Sequence, residues 1–200
     1  MGQANPRYPQ GFPRRRPDLS RIDWRAGFRP AGTPRHRIEL RSSAMSLTDL
    51  AWLALAAYAA HILEEFSLDW RGWARAVIGL PVEWSDFYVT NAVVVVLGIA
   101  QAELAPTFAL GPLTYAALML INATFFHVLP FVRTKGRYSP GLTTALVFFY
   151  PLGIAMFARA HSEGRLSLGL AVAAFAAGAA LMAFPVLLLK LKGRPYFIQE

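Results

Sequence analysis

Two hundred residues would suit one domain, but 55% apolar against 16% charged residues is too greasy a balance for an ordinary soluble fold and points to a membrane. The absence of cysteine excludes a disulfide scaffold, thiolate catalysis, Cys-ligated zinc and iron–sulfur clusters, so a metal would have to be held by His, Asp or Glu. A net charge of +8 invites a nucleic-acid reading, yet ten Arg against Asp18, Asp23 and Glu39 place nearly all of it in residues 1 to 44, and no nucleic-acid partner is expected.

Those first 44 residues are rich in Pro, Arg and Gly and lack any apolar run of helix or strand period, a composition that predicts disorder. Arg14, Arg15 and Arg16 would suit an anionic lipid surface. Alternatively, Met45-Ser-Leu-Thr-Asp-Leu directly before the first apolar stretch reads as the true start, with the tail a misassigned extension. No apolar core follows the arginines until the first long helix, so the tail is not a targeting peptide.

From Leu47 onward five apolar stretches approach the ~20 residues needed to cross a ~30 Å hydrocarbon layer. They run about Leu47 to Phe66, Phe87 to Ala105, Leu110 to Val132, Gly141 to Ala158 and Leu166 to Leu191. The expected fold is all-α, a polytopic transmembrane helix bundle of about five spans forming one domain over residues 45 to 200. Between the first two spans, Trp70, Trp73 and Trp84 alternate with Asp69, Arg71, Arg75 and Glu83, which predicts an amphipathic helix lying in the interface. Pro185 should bend the fifth span and Pro151 kink the fourth. Arg71, Arg75, Arg133, Lys135, Arg137, Lys190, Lys192 and Arg194 gather on one side, which by the positive-inside rule is the cytoplasm and holds the C-terminus. The expected location is a bacterial inner membrane.

Ionisable residues in hydrocarbon are costly and normally face the bundle interior. His61 lies five residues before the end of span one, Asn91 four residues into span two and His127 five residues before the end of span three. At 1.5 Å per residue all three come roughly 6 to 8 Å inside the same face. Thr143 and Thr144 enter span four at a slightly shallower level. Within His61-Ile-Leu-Glu64-Glu65 the two carboxylates sit about −60° and +40° around the helix from His61, so one arc can offer an imidazole and two carboxylates. With His127 from across the bundle this suits one divalent metal ion, Zn, Fe(II) or Mn. The same residues could instead form a metal-free proton relay or ligand site, or a hydrogen-bonded brace between helices. Zincin and inverzincin signatures are excluded because the fifth position is Glu65 rather than His, and a di-iron bundle would need more carboxylates. Asn122 is about 140° around the helix from His127, so the two should not point at one centre. Asp86 reads as an extra ligand or a helix cap. Tyr138-Ser-Pro140-Gly141 reads as a turn feeding a helix start, whose N–H groups could bind an anion.

His61-Ile-Leu-Glu64-Glu65, Asn91, Asn122-Ala-Thr-Phe-Phe-His127 with Pro130, Tyr138-Ser-Pro140-Gly141 and Pro151, in that order, resemble the HXXEE-motif family of small bacterial integral membrane proteins. The resemblance covers about Leu47 to Leu191 and implies a multi-pass membrane protein without supplying a reaction. The resulting expectation is a polar site with His61, Glu65 and His127 as metal ligands and Glu64 as general base. Asn91, Asn122, Tyr138 and Thr144 would line it, and the substrate would be a lipid-soluble small molecule. The rival expectations are a small proton-coupled transporter loading a proton on Glu64 or Glu65, and a scaffold subunit in which the Ala/Gly-rich fifth span, with Gly169 and Gly178, docks a partner helix.

Overall fold

The computed structural model describes residues 45–192. The basic tail and Arg194 lie outside that range. Among the described residues the chain forms helices α1 (Leu47–Ser67), α2 (Trp70–Val77), α3 (Trp84–Leu104), α4 (Leu110–Arg133), α5 (Leu142–Ser162) and α6 (Leu168–Lys192). The helices α3 to α6 are long and apolar enough to cross a membrane. The fifth long helix, α1, has the same 21-residue length as α3 but is less apolar because it carries Asp49, His61, Glu64 and Glu65. An all-helical bundle of about five spans is thus what the chain forms, and it is the architecture that satisfies every backbone N–H and C=O without water.

A capping box starts α1. The Asp49 N–H donates to Ser46 Oγ at 3.2 Å, and the Asp49 carboxylate accepts from the Ser46 N–H at 2.8 Å. The buried positions of α1 are Leu47, Leu50, Ala51, Ala54, Ala57, Tyr58, His61 and Glu65, one continuous stripe at helical spacing. The stripe is apolar as far as Ala57 and then turns polar without changing direction. His61 and Glu65 are therefore carried into the bundle by the same periodicity that buries Leu50 and Ala54.

The helix α4 is the centre of the bundle, with Pro112, Leu113, Tyr115 to Met119 and Asn122 all buried, and it packs against α1, α3, α5 and α6. Its contact with α6 is close: a Cβ on Gly178 would lie 2.9 Å from the Leu118 nitrogen and 3.0 Å from Ala117 Cβ. Gly178, expected to seat a partner helix, is used inside the chain instead, because only a residue without a side chain lets α4 and α6 approach so nearly. The helix α6 continues through Pro185 as one element. The short α2 buries Trp73 and Ala74 against Val82, with Leu189 of α6 packed on the same cluster, so its apolar side turns to the bundle and its arginines turn away. Arg71 and Arg75 both bind Glu83, the residue that precedes α3. Those two guanidiniums, Arg71 foremost by its hydrogen bond, hold the Glu83 carboxyl below the ordinary carboxylate range.

Two helices contain a wide π turn. In α4 it spans Ala123–Val128, just before Pro130, and in α5 Ala145–Phe149, just before Pro151. Proline cannot donate to the carbonyl four residues earlier and its ring crowds that carbonyl, so a locally widened turn relieves both problems. Thr124 in the first π turn bonds the Tyr150 hydroxyl, directly after the second, at 2.9 Å, pinning the two irregular segments together.

Candidate functional site

His61, Glu65 and His127 meet in the core with ligand-type atoms within 4.8 Å of one another, and all three are buried. Glu65 Oε1 stands 3.5 Å from His61 Nε2 and 3.6 Å from His127 Nε2. Phe149 covers His61 with ring centres 4.3 Å apart, and the two imidazoles meet edge to face at 4.8 Å. Both imidazoles are fully buried.

The hydrogen-bond network fixes which imidazole nitrogen carries the proton. Thr144 Oγ donates its single proton to Glu64 Oε2 at 2.6 Å, since a carboxylate can only accept. The 2.8 Å contact between His61 Nδ1 and Thr144 Oγ must then be Nδ1–H donating to oxygen. On the other side Ser139 Oγ lies 3.0 Å from His127 Nδ1 and 3.2 Å from the Phe126 carbonyl; when its proton goes to the carbonyl it receives the His127 Nδ1–H, the same arrangement as at His61. The Phe126 carbonyl is free to accept because the residue four further on is Pro130. Both Nε2 atoms are buried with no hydrogen-bond partner among the described residues, and that of His61 carries a bare lone pair. Both face a carboxylate that likewise receives no hydrogen bond from a described residue.

Gly141 closes this centre from above. Its φ is +95°, and a Cβ there would lie 2.6 Å from His127 Cε1, 2.7 Å from His61 Cε1 and 3.0 Å from Glu65 Cγ. The turn Tyr138-Ser139-Pro140-Gly141 is therefore a lid of backbone laid flat on the three side chains, beyond the rigid turn read from sequence. Ser139, fully buried, has a role the sequence reading did not assign. The signal for it was the placement of Pro130 four residues after Phe126.

Glu64 sits outside the group of three. Its carboxylate receives the Thr143 N–H at 3.2 Å, the Thr144 N–H at 2.8 Å, the Thr144 hydroxyl and the Tyr138 hydroxyl. The anion expected at the start of the fourth span is thus the chain's own glutamate, placed where a helix N-terminus favours negative charge. Burial and the adjoining Glu64 carboxylate push the Tyr138 phenol above its ordinary value. Asp86 accepts the Glu83 N–H at 3.0 Å and pairs with Lys192 at 2.9 Å, a capping and tethering role away from the three ligands.

The remaining expected residues line an adjoining cavity of about 230 Å³ that Glu65 shares. Asn91 is on its wall, with its amide N–H₂ donating to the Phe87 carbonyl one turn back at 3.0 Å. Asn122 is also on the wall and not among the three ligands, as the angle between it and His127 suggested. Its Oδ1 is buried and has no partner among the described residues.

Residues 52–156 match the family described as protein of unknown function with HXXEE motif. No curated protein and no solved structure matches the chain.

Proposed function

The chain belongs to the HXXEE-motif family of proteins of unknown function, and on that premise we propose that it binds one divalent transition-metal ion through His61 Nε2, Glu65 Oε1 and His127 Nε2. The observation that carries this reading is the convergence of two buried, unpartnered imidazole nitrogens on one carboxylate oxygen at 3.5 and 3.6 Å. Three electron-rich atoms facing one another in a dry core repel unless something positive lies between them. A proton is a poor candidate, because ~3.2 Å is the outer limit of an N–H···O bond and one proton on Oε1 could serve only one imidazole. Ligands at ~2.1 Å from a tetrahedral ion are ~3.4 Å apart, which matches both nitrogen-to-oxygen separations. Two His and one Glu suit Zn, Fe(II) or Mn and leave at least one position open, the arrangement of a centre that activates water or oxygen.

In this reading the substrate is a lipid-soluble small molecule, and the reaction is a hydrolysis or an oxidation. Glu64, read from sequence as the general base, becomes a positioning residue: it holds Thr144, and Thr144 holds His61 in the tautomer that offers Nε2. The excess of Lys and Arg on the side of α2 and the α4–α5 loop puts that end, with the site near it, at the cytoplasmic face. A proton-coupled carrier is disfavoured because, among the described residues outside the site and the Asn122 cavity, and aromatics aside, Gln101 is the one buried side chain with a polar or charged head group, and its amide is tied to the Ala51 and Gly98 carbonyls.

Elemental analysis of the detergent-purified full chain, wild type beside His61→Ala and His127→Ala, tests the proposal. Near-stoichiometric metal in the wild type, lost in both variants, is expected. Folded wild-type protein that stays metal-free after incubation with Zn²⁺, Mn²⁺ and anaerobic Fe²⁺ would overturn it.

A further inference from the structure

The cavity beside Glu65 is a cleft between two helices that hardly touch. The helices α3 and α6 each pack on α4, which forms the floor, and the space between them is walled by Val93, Leu97, Leu118, Leu181, Met182 and Pro185. Val93 is about half exposed and Val89 and Phe184 more so, so the cleft opens sideways, onto the face a bilayer would cover. At its charged end the Asp86–Lys192 pair joins the start of α3 to the end of α6. We propose that this cleft binds a neutral single-chain lipid, its hydroxyl head lying between Asn122 and Glu65 and its hydrocarbon running out between α3 and α6.

The polar groups at the inner end select the head. Asn122 is 9% exposed, and its Oδ1 is an acceptor with no donor among the described residues. A buried acceptor lacking a donor calls for a ligand that donates, because leaving it unpaired is costly. An anionic head would find no cationic side chain to pair with: no Lys or Arg is on the lining, and nearby Lys192 is bound to Asp86. Size selects the tail. A cleft of about 230 Å³ that opens sideways between α3 and α6 can take part of one hydrocarbon chain and let the rest run out into the bilayer. The inference rests on the metal-centre reading only for the ligand's fate as a substrate; binding in the cleft requires the walls from α3, α4 and α6 and the Glu65 end of α1.

The test uses the full chain in phosphatidylcholine nanodiscs, a long-chain alcohol bearing a diazirine in its tail, and the fatty acid of the same length with the same diazirine. After irradiation, labelled peptides are mapped by mass spectrometry and metal is measured in the same preparations. The alcohol is expected to label residues around Val93, Leu118 and Met182. Unlabelled alcohol should compete, and Asn122→Leu, which removes the acceptor, and Val93→Trp, which fills the opening, should each reduce labelling about tenfold. Equal labelling of the outward residues Val172 and Ile154, indifference to both variants, or labelling by the fatty acid as strong as by the alcohol would each overturn the proposal. Wild-type protein that labels in the cleft without holding metal would keep this assignment and sink the metal centre. Protein that holds metal without cleft labelling would do the reverse.

Discussion

Replacing Gly141 by alanine asks more of this site than any other single methyl group. Two costs add. A side chain at φ +95° is strained by ~1–2 kcal/mol, and a Cβ placed 2.6 and 2.7 Å from two imidazole carbons must push packed, hydrogen-bonded rings apart, an overpacking that costs ~1–3 kcal/mol. Gly164 provides the control, since its φ is +68° and nothing lies within 4 Å of a Cβ there, so Gly164→Ala carries the backbone cost alone. The difference between the two variants isolates the contact with the site. If that contact is relieved by spreading His61, His127 and Glu65, the ~1–3 kcal/mol appears as roughly 5- to 150-fold weaker metal binding. Competition titration with a chromophoric chelator, run beside thermal unfolding in the same detergent, reads both quantities. The expected result is a small loss of stability in Gly164→Ala with unchanged metal affinity, and a loss of affinity in Gly141→Ala. A Gly141→Ala chain that binds metal as tightly as wild type would refute the reasoning, because the lid would then not rest on the ligands.

The Thr144→Val substitution keeps the shape of the side chain and removes the oxygen that orients His61, so metal affinity should fall about 10- to 100-fold with helix content unchanged; unaltered affinity would show that the tautomer is set elsewhere. The Glu64→Gln substitution removes the negative charge at the start of α5 and should lower stability by about 1–3 kcal/mol while metal stoichiometry stays at the wild-type level; loss of metal together with full stability would make Glu64 a ligand rather than a strut. The Arg71 and Arg75 pairing holds the Glu83 carboxyl low, so its contribution is complete above the ordinary carboxylate pKa of ~4.3 and is lost as pH falls through the lower folded value. Tryptophan fluorescence of α2 should therefore report loosening in acid that disappears in Glu83→Gln, and an identical acid transition in that variant would detach Glu83 from the docking of α2.

The spans and the identity of the three converging residues were legible because both rest on helical spacing. The period that buries Leu47, Leu50 and Ala54 carries on to His61 and Glu65, and depth along a helix follows from counting residues to its end. What a uniform 100° per residue could not convey is the division of labour between the two adjacent glutamates. Glu64 and Glu65 are on one arc, yet one faces the N-terminus of α5 and the other the imidazoles, because α5 begins where the Gly141 turn delivers it. The π turns were equally hidden, though Pro130 and Pro151 marked their places. Gly178 was read as an external contact because a small residue on an apolar helix carries no sign of which helix it will meet.

The two N–H groups that hold Glu64 stand 79 and 80 residues further along the chain. Until α5 arrives, the Glu64 carboxylate lacks the two backbone donors and the Thr144 hydroxyl that answer its charge, and the Tyr138 hydroxyl alone of its donors has been made. The first of the described helices is thus settled only when α5, three long helices later, supplies these donors. A chain cut short before Thr143 therefore lacks three of the four donors that hold Glu64. Truncation at residue 140 should accordingly give a chain with a markedly shorter half-life in cells, and Glu64→Gln in that truncated chain should lengthen it.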